Sequence, residues 1–356
     1  MLAFKYISFH YLKYFSVILI ALILFLVGFD YMGNADELPS SANLVLIYLV
    51  YKVFYAIDML LPLSLIFSMI ITKMYLIRTN ALVSFYSLGY SRVDILKPFV
   101  VTSTIIIILF ISLHTSSKFT QAEELSRNIR TTSVYLSQTK DLFFIHKDKF
   151  VYFSNMIPLQ EKAEGIRVFS VKDNKLQEVI IAKSAVYLAD YWYIKDADII
   201  TKPINMGFDS KGIKVKHENG LYILKGFRPK ILDQVYEGKV NFTIKDAVDA
   251  YKLLDAQNIE TSAIRGAIYK IFIYPWFVPA LVVIIFFLVP ISPRFLNVSL
   301  FSFGAILSTL LIWGTLYMLI ELSNNKVIPS EVGVIAPTIA IIMVALRQWR
   351  KYRLAT

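Results

Sequence analysis

Residues 73–97 read KMYLIRTNALVSFYSLGYSRVDILK, and the layout of the whole chain follows from this stretch. It lies between two long apolar segments and carries Lys73, Arg78, Arg92 and Lys97 against one acid, Asp94. A short basic loop between apolar segments marks the cytoplasmic side of a membrane protein, because Lys and Arg near span ends are retained inside. Thr79 is placed to cap a short helix over residues 80–88, and Gly89 to stop it in the left-handed conformation. Ser91 and Asp94 then form a capping signal for the next helix. Ala81, Leu82, Val83, Phe85, Tyr86 and Leu88 are too apolar for a helix that meets only water. Two readings fit: a helix lying among lipid headgroups, or a docking helix for a soluble cytoplasmic partner.

Composition agrees with a polytopic membrane protein. The chain has 356 residues, 56% of them hydrophobic, with a mean hydropathy of +0.58, far above a soluble globule. A net charge of +11 would point to nucleic acid in a soluble protein. Its distribution excludes that partner, since 24 of the 37 Lys and Arg fall within residues 118–270 among 19 acids. Most of the others lie in segments assigned to the cytoplasm. There is no cysteine, hence no disulfide and no thiol chemistry.

Taken in order, Lys5 and Lys13 precede an uncharged run over 14–29, the first span, with its N-terminus inside. The linker 30–43 holds Asp30, Asp36 and Glu37 and no basic residue, so it belongs outside. A second apolar segment, 44–72, contains Lys52 and Asp58, placed near the outer end of a long helix, and Pro62, a candidate kink. Residues 98–117 make a third span. From 118 to 270 the charge density becomes ordinary, and short β-type runs alternate with turn signals. The pairs are 142–146 with 150–153, 166–171 with 176–181, 185–188 with 192–194, and 213–216 with 221–224 around Glu218-Asn219-Gly220. Such spacing predicts an antiparallel sandwich or jelly roll. Residues 120–131 read as a helical continuation of the third span, and 244–256 as an amphipathic helix returning to the membrane. Spans over 271–293, 295–320 and 332–346 follow, the first two separated by Arg294. The tail Arg347, Arg350, Lys351, Arg353 is basic and therefore inside.

The fold expected is thus an α-helical membrane protein with six transmembrane helices and an all-β domain inserted between the third and fourth. Its segments are 1–117 with the cytoplasmic helix at 79–89, 118–270, and 271–356. Catalytic signatures are absent. No phosphate loop, H-E-x-x-H or G-x-S-x-G occurs, and the four histidines (His10, His114, His146, His217) are scattered, His114 reading as an interfacial side chain. Neither enzyme chemistry nor a cofactor or metal is expected. The outer half holds one cationic pair of interest, Arg127 and Arg130, three apart on one helical face and suited to phosphate. The competing assignment pairs them with Glu123 and Glu124.

Three spans, a β-domain and three more spans is an arrangement that resembles the LptF/LptG permease family over essentially the whole chain. Asn80-Ala81-Leu82-Val83 followed by Gly89-Tyr90-Ser91-Arg92 is similar to that family's coupling helix. Ser126-Arg127-Asn128-Ile129-Arg130 resembles an R-N-x-R stretch after its third span, on the LptG side. Two departures stand out: Asn80 replaces the acid at the head of the coupling helix, and the linker after span one is acidic where relatives carry lysines. The resemblance implies a permease subunit of an ABC transporter in the bacterial inner membrane, with both termini cytoplasmic and a periplasmic jellyroll. Implied partners are an LptF-like paralogue, an LptB-like cytoplasmic ATPase dimer, a single-span LptC-like subunit, a periplasmic bridge protein and lipopolysaccharide. Implied ATPase-coupling residues are Asn80, Leu82, Val83, Phe85, Tyr86, Gly89 and Arg92. Lipid-contacting candidates are Arg127, Arg130 and Lys52, with Phe144, Tyr152, Phe169 and Tyr187 at inward positions of the sheet. A mechanotransmitting subunit, or a scaffold or sensor whose outer domain binds a ligand, is the alternative.

Overall fold

A computed structural model describes residues 2–131, 139–146, 149–157, 160–172, 175–189, 191–203, 212–225, 242–255, 261–288 and 297–354. Arg294 and the turns at 147–148, 173–174 and 190 lie outside these residues. Apolar runs become long helices, since within lipid every backbone polar group must be satisfied internally. They are α1 (Leu2–Asn34), α2 (Ala42–Arg78), α3 (Ala81–Ser87), α4 (Arg92–Leu113), α5 (Ser117–Thr120) and α6 (Ala122–Thr131). After the sheet come α7 (Ile244–Asp255), α8 (Ser262–Phe272), α9 (Phe277–Leu288), α10 (Val298–Asn324) and α11 (Ala336–Leu354). Among the described residues, six segments are long and apolar enough to cross a membrane: Leu2–Glu37, Ala42–Arg78, Arg92–Leu113, Ser262–Leu288, Ser299–Asn324 and Glu331–Arg353.

α2 is 37 residues and passes through Pro62 unbroken, which at 1.5 Å per residue makes it about 55 Å long and leaves it standing well beyond the bilayer. The fourth span begins earlier than the apolar run at 271. It is α8 and α9 joined by a 3₁₀ turn, Tyr274–Trp276, where Pro275 cannot continue an α-helix. The helical core gathers around α2, α4 and α9, with Tyr11, Leu65, Met69, Phe99, Phe277 and Phe286 fully or almost fully buried. The Tyr11 hydroxyl donates to the Leu65 carbonyl at 3.0 Å, so the buried phenol is satisfied.

These helices form one unit, comprising 1–132, 241–251 and 260–356; the second unit is 133–240 with 252–259. In the latter, six antiparallel strands among the described residues follow chain order: β1 (Thr139–His146), β2 (Lys149–Ile157), β3 (Lys162–Lys172), β4 (Lys175–Leu188), β5 (Tyr191–Thr201) and β6 (Lys214–Ile223). The architecture is therefore six candidate spans with an antiparallel sheet of jellyroll character between the third and fourth. Two sequence expectations need correction. Runs 176–181 and 185–188 are one strand, β4. Glu218-Asn219-Gly220 is no turn but the interior of β6, where Gly220 takes φ +77° and so absorbs the local irregularity.

Burial explains how the sheet curves. The sealed side is lined by Phe144, Val151, Phe153, Ile166, Val168, Ala182 and Ala197, then by Met156, Ala163, Ala185 and Ile194. Between the two sets each central strand shifts parity by one residue, from Phe153 to Met156 and from Ala182 to Ala185, although register is kept across the row. Irregular residues of this kind bend strands around a corner while apolar side chains stay inside. Gly165 (φ +61°) sits in that row, and a Cβ there would meet Ser154 Cβ at 2.6 Å. Gly165→Val should destabilise the sheet unit by about 3 kcal/mol, from backbone strain plus overpacking. Limited proteolysis should detect the change as faster cleavage in residues 139–223. Unchanged protection would disconnect the corner from this glycine.

Candidate functional site

Two places bring the candidate residues together. At the first, α3 is stopped by hydrogen bonds from Gly89 N–H to the Tyr86 carbonyl and from Tyr90 N–H to the Phe85 carbonyl, with Gly89 at φ +86°. This is a Schellman stop, and the accompanying apolar contact is present as the Phe85–Tyr90 ring pair at 6.0 Å. Ser91 and Asp94 form the full capping box of α4. Thr79 does not cap α3; its hydroxyl donates back to the Tyr75 carbonyl at 2.8 Å. Asn80 takes the N-cap place with φ 55°, a conformation asparagine tolerates.

The faces of α3 are unequal. Leu82 is fully buried, and Phe85 and Tyr86 are half-buried, Phe85 against Tyr6 at 6.0 Å. Val83 (43% exposed) and Leu88 (73%) are the apolar residues that α3 and its stop present outward. Arg92 is half-buried with its guanidinium 5.6 Å from the Tyr352 ring, so it braces α4 on α11. Beside the stop lies an open hollow of about 420 Å³ lined by Ala3, Phe4, Leu88, Gly89, Tyr90, Asp94 and Lys97. Above α3, the buried Lys73 ammonium donates to the Phe286 carbonyl and sits 3.9 Å from the Phe286 ring centre, tying α2 to the last turn of α9.

The second place is where α1 ends, α2 begins and α6 packs. A cavity of about 150 Å³ is lined by Tyr48, Lys52, Glu123, Arg127 and Arg130. Arg127 and Arg130 do face one hollow. Each cation there has a carboxylate: Arg127 with Glu123 at 2.9 Å, Arg130 with Glu37 at 3.2 Å, and Lys52 with Asp30 at 2.8 Å. Arg130 also donates to the Asn34 amide oxygen at 2.6 Å, and the Tyr48 hydroxyl to Asp30. Lys52 is thus tethered by Asp30 and flanked by the Tyr48 and Tyr55 rings at 5.7 and 5.6 Å. Asp58, six residues on, goes elsewhere and pairs with His114 at 3.0 Å. His114 is buried, not interfacial, and its backbone carbonyl accepts from Ile244 N–H of α7.

Sequence spacing missed the partners Asp30, Asn34, Glu37 and Tyr48 because Asn34 and Glu37 reach Arg130, and Asp30 reaches Lys52 and Tyr48, across 18 to 96 residues, where no periodicity reports contact. The acidic linker was the available signal. In the sheet, Phe144 and Tyr187 lie on the buried side, whereas Tyr152 and Phe169 do not. Tyr152 stands opposite Arg167 and Phe169 opposite Phe150, one residue out of step with Val151 and Val168. The expectation that all four point inward is corrected for those two, since period-two alternation fixes the face only once the register is known.

No curated protein matches the chain. A family model described as the lipopolysaccharide export system permease LptF/LptG matches residues 5–351. That match takes in the six spans, the helix α3, the arginine pocket and the whole sheet, so the chain belongs to the LptF/LptG family of lipopolysaccharide export permeases.

Proposed function

We propose that this permease is the membrane subunit of an ATP-driven extractor that lifts lipopolysaccharide out of the inner membrane and hands it to a periplasmic bridge. The observation that carries the ATP-driven part is α3, a short helix with a Schellman stop between the second and third spans that presents Val83 and Leu88 outward, Leu88 beside an open hollow of mixed apolar and charged lining. A cytoplasmic ATPase docking there would push α3, and the bond from Lys73 to Phe286 would carry the push from α2 to α9. Force is needed because each CH₂ exposed to water costs about 0.8 kcal/mol, a large sum for a many-chained lipid. Arg127 and Arg130 are the headgroup contacts in this reading, at the outer mouth of the cavity. Phe144 and Tyr187 face the apolar path, and β1 and β6, the two edges of the sheet among the described residues, offer unpaired backbone for strand addition.

Purification from native membranes in mild detergent tests the assembly. Stoichiometric recovery of an ATPase and a homologous permease is expected. Recovery of the chain with no ATPase would favour a scaffold or sensor and end the extractor reading.

A further inference from the structure

The pocket at the junction of α1, α2 and α6 is charge-balanced, and its three ion pairs are not alike. Lys52 and Asp30 are withdrawn from solvent, with side-chain exposures of 13% and 21%, and the Tyr48 hydroxyl completes the contact. That pair is a fixed strut. Glu37 and Glu123, by contrast, are 64% and 38% exposed, so each carboxylate can leave its arginine for water at little cost. Asn34 holds Arg130 through a neutral amide oxygen at 2.6 Å, which keeps that guanidinium in place when Glu37 departs.

We propose that Glu37 and Glu123 are internal ligands of Arg130 and Arg127 that compete with a headgroup phosphate and thereby speed its release. The idea rests on reading the pocket as a headgroup site. A transport site has to let go as well as capture. A guanidinium pair with no internal partner would hold a phosphate through charge-assisted, bidentate bonds. Carboxylates tethered within reach recapture the arginines as the phosphate leaves, and no bare charge has to be exposed. Glu37, from the acidic linker after the first span, and Glu123 of α6 then serve release where the two arginines serve capture.

The test uses the full chain in phosphatidylcholine nanodiscs containing a small fraction of phosphatidic acid, whose phosphomonoester is the probe, with lipid retention followed by native mass spectrometry. Glu37→Gln with Glu123→Gln keeps side-chain shape and removes the competing charge. Retention should rise about tenfold and dissociation should slow, because two exposed carboxylates no longer compete for the guanidinium groups. In an Arg127→Gln, Arg130→Gln background the same two glutamate changes should do nothing. Equal gain in that background would mean a general charge effect and overturn the proposal, as would no gain in the native one. If removing the arginines leaves retention unchanged, the headgroup reading itself falls and this one with it. Loss on removing the arginines without gain from the glutamines overturns the internal ligands alone. Melting curves on each variant confirm that a folded protein is being compared.

Discussion

Reversing both arginines of α6, Arg127→Glu with Arg130→Glu, leaves the permease abundant in the membrane and lowers lipopolysaccharide capture at the pocket by about a hundredfold. The magnitude follows from two charge-assisted contacts of roughly 1.5 kcal/mol or more each, with about 1.4 kcal/mol per factor of ten. Viability of cells depending on the variant should collapse with it. The structural cost is small by comparison. Arg127 pairs with Glu123 on an exposed helix face, and such pairs contribute about 0–1 kcal/mol. Arg130 is more enclosed at 27%, donates to Asn34 and is ion-paired with Glu37, so most of any stability loss arises there. A photo-crosslinker in place of Tyr48, which lines the same cavity, provides the readout. Normal capture by an abundant double variant would end the headgroup assignment.

Charging the outward side of α3, Val83→Asp with Leu88→Asp, uncouples ATP hydrolysis from lipid extraction or strips the ATPase from the purified complex. Truncation of a central interface anchor commonly costs 2 kcal/mol or more, and a buried charge costs more still, so binding should weaken at least thirtyfold. Because both side chains already face outward, the permease itself should melt as the native protein does. Leu82→Asp makes the contrast. Leu82 is fully buried, so an aspartate there should cost about 3–5 kcal/mol and deplete the protein before any question of coupling arises. Wild-type ATP-dependent extraction by the Val83, Leu88 variant would show that α3 is not where force enters.

Much of this was legible from residue types and spacing. Six apolar stretches, the Gly89 stop and the Ser91–Asp94 box are local signals, written within a few residues of where they act, and all are found in place. Strand number and facing were harder. Whether Lys183 and Ser184 divide two strands or continue one depends on partners in β3 and β5, and the parity shift at Gly165 reverses which residues look inward. The pocket was half legible. Arg127 and its partner Glu123 announce themselves at helical spacing, but the partners of Arg130, Asn34 and Glu37, come from α1 and the turn after it, and only tertiary packing brings those together. The same holds for α3, where composition marks the helix as apolar yet cannot say that Leu82 is spent on the core while Val83 and Leu88 are not.

The bond between the Lys73 ammonium and the Phe286 carbonyl also bears on biogenesis. Its two ends are 213 residues apart, with the entire β-domain between them. A nascent chain therefore releases α2 into the bilayer long before the ribosome has made the acceptor. During that interval the Phe286 carbonyl is not there to accept from the ammonium, and the lysine's flexible stem leaves its charge to be met by water or lipid headgroups. Arrival of α9 supplies the carbonyl that the ammonium meets in the folded chain. No translation product shorter than 286 residues can contain this contact, and the amino-terminal half must cross the insertion machinery without it.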